Sequence, residues 1–371
     1  MKKKILSMLL VVFLLLSMTT ACNNSKPSST DVDKKQEQDV ASKDKTTSFT
    51  DSAGREVELP ANITRIVPSG ALAQIVLFAI APDALVGVSG EWNPSAEEYI
   101  DTEYYELPIL GQFYGQGDLN LEEIAKVDPQ VIIDIGESKP SVVEDMDDIS
   151  EQVGIPTIHI EATTDTMGDA YRTLGKLLGK EKEGEALASY CEKVNEDTKA
   201  LIEKIGEEGK VDLLYATGED GLGVLAKDSF HAEIIDRVSN NVAVVEDISS
   251  KGTGNPVDME QIINWNPEVI IFAPGSVYSS VGKDKSWQQL KAIKDGNYYE
   301  VPAGPYNWMG SPPSVNRYMG MLWITQLLYP EEAGYDMYDE AAKYYELFYH
   351  SELTEEQYNK LVANSLGKTA K

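Results

Sequence analysis

Residues 119–133 read LNLEEIAKVDPQVII, and residues 257–271 read VDMEQIINWNPEVII. The two stretches align without a gap at a constant offset of 138 residues. Glu122 matches Glu260, Ile124 matches Ile262, Pro129 matches Pro267, and Val131-Ile132-Ile133 matches Val269-Ile270-Ile271. Each copy reads as a short amphipathic helix, stopped by a proline, followed by a β-branched strand. Turn-like residues come next: Asp134-Ile135-Gly136-Glu137 in the first copy, Ala273-Pro274-Gly275-Ser276 in the second. A further unit of the same kind follows each, over 154–160 and 296–302. Continuous apolar strands alternating with helices predict α/β units whose mainly parallel sheets are covered on both faces. One such unit repeated at long spacing predicts two similar Rossmann-like lobes. The spacing is too long for a solenoid.

Working outward, strands are expected at Arg65–Val67, Leu85–Val88, Val131–Asp134 and Thr157–Ile160 in the first lobe. In the second they are expected at Val211–Tyr215, Val269–Phe272 and Tyr299–Val301. Between the lobes, Thr166–Glu207 carries Leu174, Leu177, Leu178, Leu187, Val194, Leu201 and Ile205 at helical spacing, broken near Gly179. It predicts a long interlobe helix that acts as a strut. The expected organisation is a signal peptide over 1–21, a lipidated cysteine and flexible tether over 22–47, and a first lobe over 48–164. The interlobe helix then covers 165–207, a second lobe 208–330 and a C-terminal helical segment 331–371.

The N-terminus supports export. Lys2-Lys3-Lys4 precedes an apolar run from Ile5 to Met18, then Thr19-Thr20-Ala21-Cys22. A basic start, a short apolar stretch and small residues before a cut make a secretory signal peptide. Ala21-Cys22 resembles a lipobox, in which the cysteine is lipidated and becomes the mature N-terminus, although Thr19 stands where leucine is usual. Lipidation would anchor the folded part at the outer face of the cell membrane. Residues 23–47 are polar, without an aromatic, and read as a tether unable to bury a core.

The chain has 61 acidic residues against 32 basic ones, a formal net charge of −29, which argues against a nucleic-acid partner. With Cys22 used as an anchor, Cys191 stands alone, so no disulfide framework is possible. His159, His231 and His350 are far apart, and no metal-ligand spacing surrounds them. There is no GxSxG elbow, Walker loop or HExxH motif. No enzymatic activity and no resident cofactor or metal is therefore expected.

Residues 49–60, FTDSAGREVELP, resemble the opening segment of the iron–siderophore, haem and cobalamin binding proteins of ABC importers. Arg65-Ile66-Val67, Pro82–Val88 and both Pro-x-Val-Ile-Ile copies are also similar to that family. The resemblance covers roughly residues 47–330. It implies the class III periplasmic-binding-protein fold: two α/β lobes, one long joining helix, and a ligand held in the cleft between lobes. It further implies a monomer that delivers its small-molecule ligand to an ABC permease and its ATPase. In the family, one acidic residue on each lobe docks on the permease. Glu233 matches the second-lobe position, whereas the first-lobe position carries Gln74 rather than glutamate.

Ligands of open α/β sheets bind beyond the carboxyl ends of strands. That rule selects Ser69, Trp92, Gln112, Tyr114 and Glu137 in the first lobe. In the second it selects Thr217, Ser276, Tyr306, Asn307, Trp308 and Arg317. Trp92, Tyr114, Tyr306 and Trp308 offer flat apolar walls for a large organic ligand. The alternative for Trp308 is packing beneath the helix that follows it. Arg317 is expected either to grip an oxyanion or to make a surface salt bridge. The leading ligand class is a metal chelate: ferric siderophore, haem or cobalamin. An oxyanion such as molybdate or tungstate is the second reading. A surface hydrolase or a structural surface lipoprotein are further alternatives.

Overall fold

A computed structural model describes residues 45–113 and 119–366. The signal peptide, Cys22, nearly all of the tether, Tyr114 and the last five residues lie outside the described residues.

The chain opens with an antiparallel hairpin of β1 (Thr46–Thr50) and β2 (Glu56–Pro60). Its turn explains the TDSAGR sequence. Asp51 Oδ1 accepts from the amides of Ala53 (3.0 Å) and Arg55 (2.9 Å), an Asx-type turn. Gly54 takes φ 80°, where a side chain would be strained. Arg55 then spans from Asp51 Oδ2 (3.0 Å) to the carbonyl of Thr157 (2.9 Å), tying the hairpin to the first lobe.

That lobe is built on β3 (Ile66–Pro68), β4 (Val131–Gly136) and β5 (Thr157–Glu161), paired in parallel in the order β3-β4-β5. The expected strand at Leu85–Val88 reduces to isolated bridges, Ile66 with Leu85 and Val88 with Ile109. A 3-10 turn over Pro82–Ala84 leads into this segment.

The second lobe contains β6 (Asp212–Thr217), β7 (Gly223–Val224), β8 (Asn240–Asn241), β9 (Asn255–Pro256), β10 (Val269–Phe272) and β11 (Tyr298–Glu300). The order is β11-β10-β6-β7-β9, with β8 also beside β6. The pairs β10–β11, β6–β10 and β6–β8 are parallel, whereas β7 and β9 add antiparallel edges.

The two sequence copies fold alike, residue for residue. One helix spans Leu121–Val127 and the other Met259–Trp265. Asn120 caps the first by accepting from the Glu123 amide (3.1 Å), and Asp258 caps the second by accepting from Gln261 (2.8 Å). Both end on a left-handed residue, Asp128 (φ 45°) and Asn266 (φ 46°), side chains that tolerate that conformation.

The interlobe segment is a helical hairpin rather than one helix. Met167–Leu178 and Glu181–Ile205 are separated by Gly179 at φ 65°. The pair packs backbone to backbone at Gly175 and Gly184. A Cβ on Gly184 would lie 2.6 Å from the Tyr171 carbonyl. Arg172 joins the two through Glu185 (2.8 Å) and Glu192 (2.5 Å). The 25-residue second helix, about 37 Å long, is the strut.

One contiguous core runs from Ile66, Val131 and Ile133 through Leu187, Cys191 and Val194 of the strut to Leu213 and Ile271 of the second lobe. Smaller cores fill the outer faces of the two sheets, around Ile132 and Met146 and around Ile270, Phe272 and Trp287. The chain then returns to the first lobe. The Met337–Tyr349 helix stacks Tyr344 on Phe348 at 4.4 Å, and His350 Nε2 reaches the Phe78 carbonyl at 3.2 Å. A last helix, Glu355–Leu361, crosses between lobes. Lys360 pairs with Glu98 (2.5 Å) on the first lobe. Asn364 donates to the Glu300 carboxylate (2.7 Å), while the Glu300 amide donates to the Asn364 carbonyl (3.0 Å) on the second.

Candidate functional site: the interlobe cleft

Strand ends of the first lobe carry a continuous hydrogen-bond chain. Ser69 Oγ, just past β3, donates to Asp134 Oδ1 (2.5 Å). Asp134 Oδ2 meets His159 Nδ1 (2.6 Å), and His159 Nε2 meets Ser138 Oγ (3.2 Å). The order resembles a hydrolytic serine–histidine–aspartate relay. However, the Ser138 hydroxyl donates to Glu161 Oε2 (2.9 Å), and His159 is only 1% exposed. The chain is a brace across three strands, and Ser69 is consumed in it.

Next to this brace, Glu137 is exposed at the end of β4. It borders a cavity of about 580 Å3 whose remaining walls are Asp228, Ser229, Phe230, Glu233, Asp236 and Arg237 of the second lobe. A smaller crevice continues beneath it, lined by Leu72 and Thr164 from one side and Pro313, Ser314 and Arg317 from the other. Side chains of both lobes converge here at strand ends, as they do in a smaller cavity of about 270 Å3 between Glu98 and Tyr99 on one side and Gly275 and Glu300 on the other. Two other cavities, about 360 and 370 Å3, lie among the C-terminal helices and the strut, away from any strand end.

Arg317 is the most constrained group here. It is 5% exposed. Nη1 donates to Glu233 Oε2 (2.5 Å), Nη2 donates to the Phe230 carbonyl (2.6 Å), and the guanidinium sits 4.6 Å from the Phe230 ring centre. Burial lowers its pKa, opposed by the charges of Glu233 and Glu137. Neither expectation for Arg317 describes this: the salt bridge is real but buried. Glu233 also accepts from Thr164 Oγ1 (2.9 Å) of the first lobe and from Arg237 (2.7 Å). Both its oxygens are thus held within the junction. Arg237 extends the network to Asp165 (2.9 Å), which also binds Lys199 (2.7 Å). The hydrogen bond from Arg237 holds the Asp165 carboxyl well below the usual carboxylate range. His231, beside the cavity, has its pKa lowered by burial and by the Arg317 charge.

Gln74, matched to a docking position, lies inside the protein at 2% exposure. Its Oε1 accepts from Ser89 N and Oγ (2.8 Å each) and Gly90 N (3.3 Å), and Nε2 donates to Tyr306 OH (3.4 Å). It therefore presents no group to a partner.

Of the aromatic wall expected from Trp92, Tyr306 and Trp308, both tryptophans are interior and Tyr306 is partly buried against the core. Trp308 is 1% exposed under the Asn316–Leu328 helix, because the loop carrying it folds back through its own amide onto Pro302 O (3.0 Å). Trp92 packs edge-on against Phe78 (5.1 Å) and donates to the Tyr104 carbonyl (3.0 Å). Tyr306 lies between Trp92 and Gln74, and burial raises its phenol pKa. Asn307 stitches its loop, accepting from Met309 N (2.7 Å) and donating to Tyr215 OH (3.3 Å). Thr217 and Ser276 hydroxyls close loops by donating to Thr253 O and Gly218 O, both at 2.6 Å. Gln112 is exposed at the edge of the described residues.

Among the described residues, the structure brings only Glu137 of the expected ligand residues to the cavity, with Arg317 in the crevice beneath it. The sequence reading missed Phe230, Thr164, Arg237 and Asp165. Arg237 stands four residues after Glu233, a helical pairing distance that was visible in Glu233-Ile234-Ile235-Asp236-Arg237. Among the described residues, no group of three or more His, Cys, Asp or Glu side chains is placed to hold a bare metal ion.

Two α/β lobes, a stiff crossing helix and a cleft at the carboxyl ends of both sheets define a two-lobed binding protein. The periplasmic binding protein family matches residues 68–305, and the chain belongs to that family. Among solved structures, an ABC transporter solute-binding protein from Sulfurospirillum deleyianum is 31% identical, with a TM-score of 0.77 over 85% of this chain and 99% of that one. The Fe(3+)-citrate-binding protein YfmC of Bacillus subtilis is 28% identical over 49% of this chain, a stretch spanning 56% of the relative. The probable siderophore-binding lipoprotein YfiY of the same organism is 22% identical over 85% of this chain and 95% of its own length. The resemblance seen in the sequence and the class III two-lobed fold expected from it are both met.

Proposed function

We propose that this protein is an exported lipoprotein, anchored through Cys22, that captures a metal chelate in the interlobe cleft and delivers it to an ABC permease and its ATPase. The observation that carries the reading is the cavity of about 580 Å3 walled by Glu137 from one lobe and by Phe230, Glu233 and Arg237 from the other. Phe230, 39% exposed, gives it an apolar surface for an organic ligand shell. The names of the relatives support iron chelates as the ligand class. Closing the lobes over a ligand adds contacts that the open form lacks, and that difference is what drives closure. The strut and the shared core keep the movement small.

The test is thermal unfolding of the lipid-free chain from residue 24 against ferric hydroxamate and catecholate siderophores, haem, cobalamin and molybdate. A chelate bound by the folded state raises Tm in proportion to the logarithm of its concentration over Kd. A rise with molybdate alone would overturn the chelate reading.

A further inference from the structure

We propose that the cleft selects chelates whose metal-loaded form is neutral or cationic, and discriminates against anionic complexes and free oxyanions. This rests on the binding reading above and sets the ligand's charge class.

The argument is an accounting of charge. A cation with unsatisfied donors facing the ligand gives the strongest grip on an anion, because charge-assisted hydrogen bonds are about twice as strong as neutral ones. Here both guanidiniums are already matched. Arg317 spends its donors on Glu233 and the Phe230 carbonyl, and its face on the Phe230 ring. Arg237 spends its donors on Glu233 Oε1, Asp165 and Asn195 Oδ1 (3.2 Å). An anion could reach Arg317 only by displacing Glu233, which would leave that carboxylate without its buried partner.

The carboxylates are not matched in the same way. Asp236 is satisfied by amides alone, the Asp228 amide (2.8 Å) and the Asn241 side chain (2.9 Å). Glu137 and Asp228 have no side-chain hydrogen bond or ion pair among the described residues. The main cavity therefore carries four carboxylates against Arg237, with Arg317 beneath. The other interlobe cavity, about 270 Å3 at the ends of β10 and β11, repeats the imbalance: Glu98 and Glu300 against Lys360, which is paired with Glu98. The net charge of −29 acts in the same direction at longer range.

The experiment measures binding of four probes to the full chain in detergent by titration calorimetry, at low and moderate salt. They are ferrioxamine B (a cationic ferric trihydroxamate), ferrichrome (a neutral one), ferric citrate and molybdate. The expected result is at least tenfold tighter binding of a hydroxamate complex than of either anion. The cationic probe should lose affinity as salt rises, because its attraction is screened. Glu137→Gln combined with Asp228→Asn should narrow the gap between cationic and anionic probes by about tenfold, a charge readout that a packing defect would not give. Equal or tighter binding of ferric citrate or molybdate overturns this proposal and leaves the binding-protein reading intact. Binding of none of the four overturns this proposal, and the chelate reading is then decided separately by the catecholate, haem and cobalamin arms of the unfolding test.

Discussion

Gln74 of the first lobe and Tyr306 of the second-lobe loop meet across the lobe boundary, amide nitrogen to phenol oxygen at 3.4 Å. The same amide's oxygen holds three donors of Ser89 and Gly90. Gln74→Leu strands those donors in the interior, so the expected loss is about 2–4 kcal/mol in urea unfolding. Gln74→Glu keeps the acceptor but buries a charge once ionised. Its folded pKa is raised above the unfolded value near 4.3, so its stability should match wild type best below that pH and fall as pH rises. A variant equally stable at pH 4 and pH 8 would contradict the buried placement.

The Arg317–Glu233 pair joins a 5%-exposed guanidinium to a carboxylate that also touches Thr164 across the junction. Arg317→Met removes one partner from a buried pair, with an expected cost of about 3–5 kcal/mol. Glu233→Gln added to it should recover a large part, giving a coupling of about 2 kcal/mol in a double-mutant cycle. Additive losses would mean that the two groups act independently.

Asp165 gives a pH signature. Its folded carboxyl pKa is depressed by Arg237, so its contribution is present above the unfolded pKa near 3.9 and is lost as pH falls below it. Because the side chain is about half exposed (49%), the contribution is a screened one, about 1 kcal/mol or less. Comparing Asp165→Asn with wild type should show a small deficit at pH 7 that shrinks between pH 4 and pH 2. A deficit independent of pH would point to lost packing instead.

Cys191 is 1% exposed in the strut, and burial pushes its thiol pKa well up. In the chain from residue 24, an aromatic disulfide reagent should therefore label nothing in the folded state within minutes, and one thiol per chain in guanidinium. Rapid labelling of folded protein would show that the strut opens locally.

The repeat was legible because its signals are local. Pro129 and Pro267 mark where the helices stop, and Val131 and Val269 open the strands, all at one offset. The cleft was less legible because its chemistry is tertiary. Trp308 and Tyr306 look like wall residues in a Pro/Gly-rich loop, yet whether that loop faces the cleft or the core depends on Pro302, Tyr215 and Asn316, which no window around it reveals. Gln74 shows the same limit: a family position read as outward-facing is turned inward by Ser89 and Tyr306. Phe230 carries no local signal of its role, because it joins Glu233, three residues later, only through Arg317, 84 residues further along the chain from Glu233.

The final helix joins Glu98 of one lobe and leads into Asn364, which holds Glu300 of the other. This helix and the strut join other connections between the lobes, among them Thr164 with Glu233 and Gln74 with Tyr306. A body held at one point retains three rotational freedoms, and a body held at two retains rotation about the line through them. Held at more than two places, the lobes have no free swing, and a ligand entering the cleft changes their relative position only by straining or exchanging these contacts.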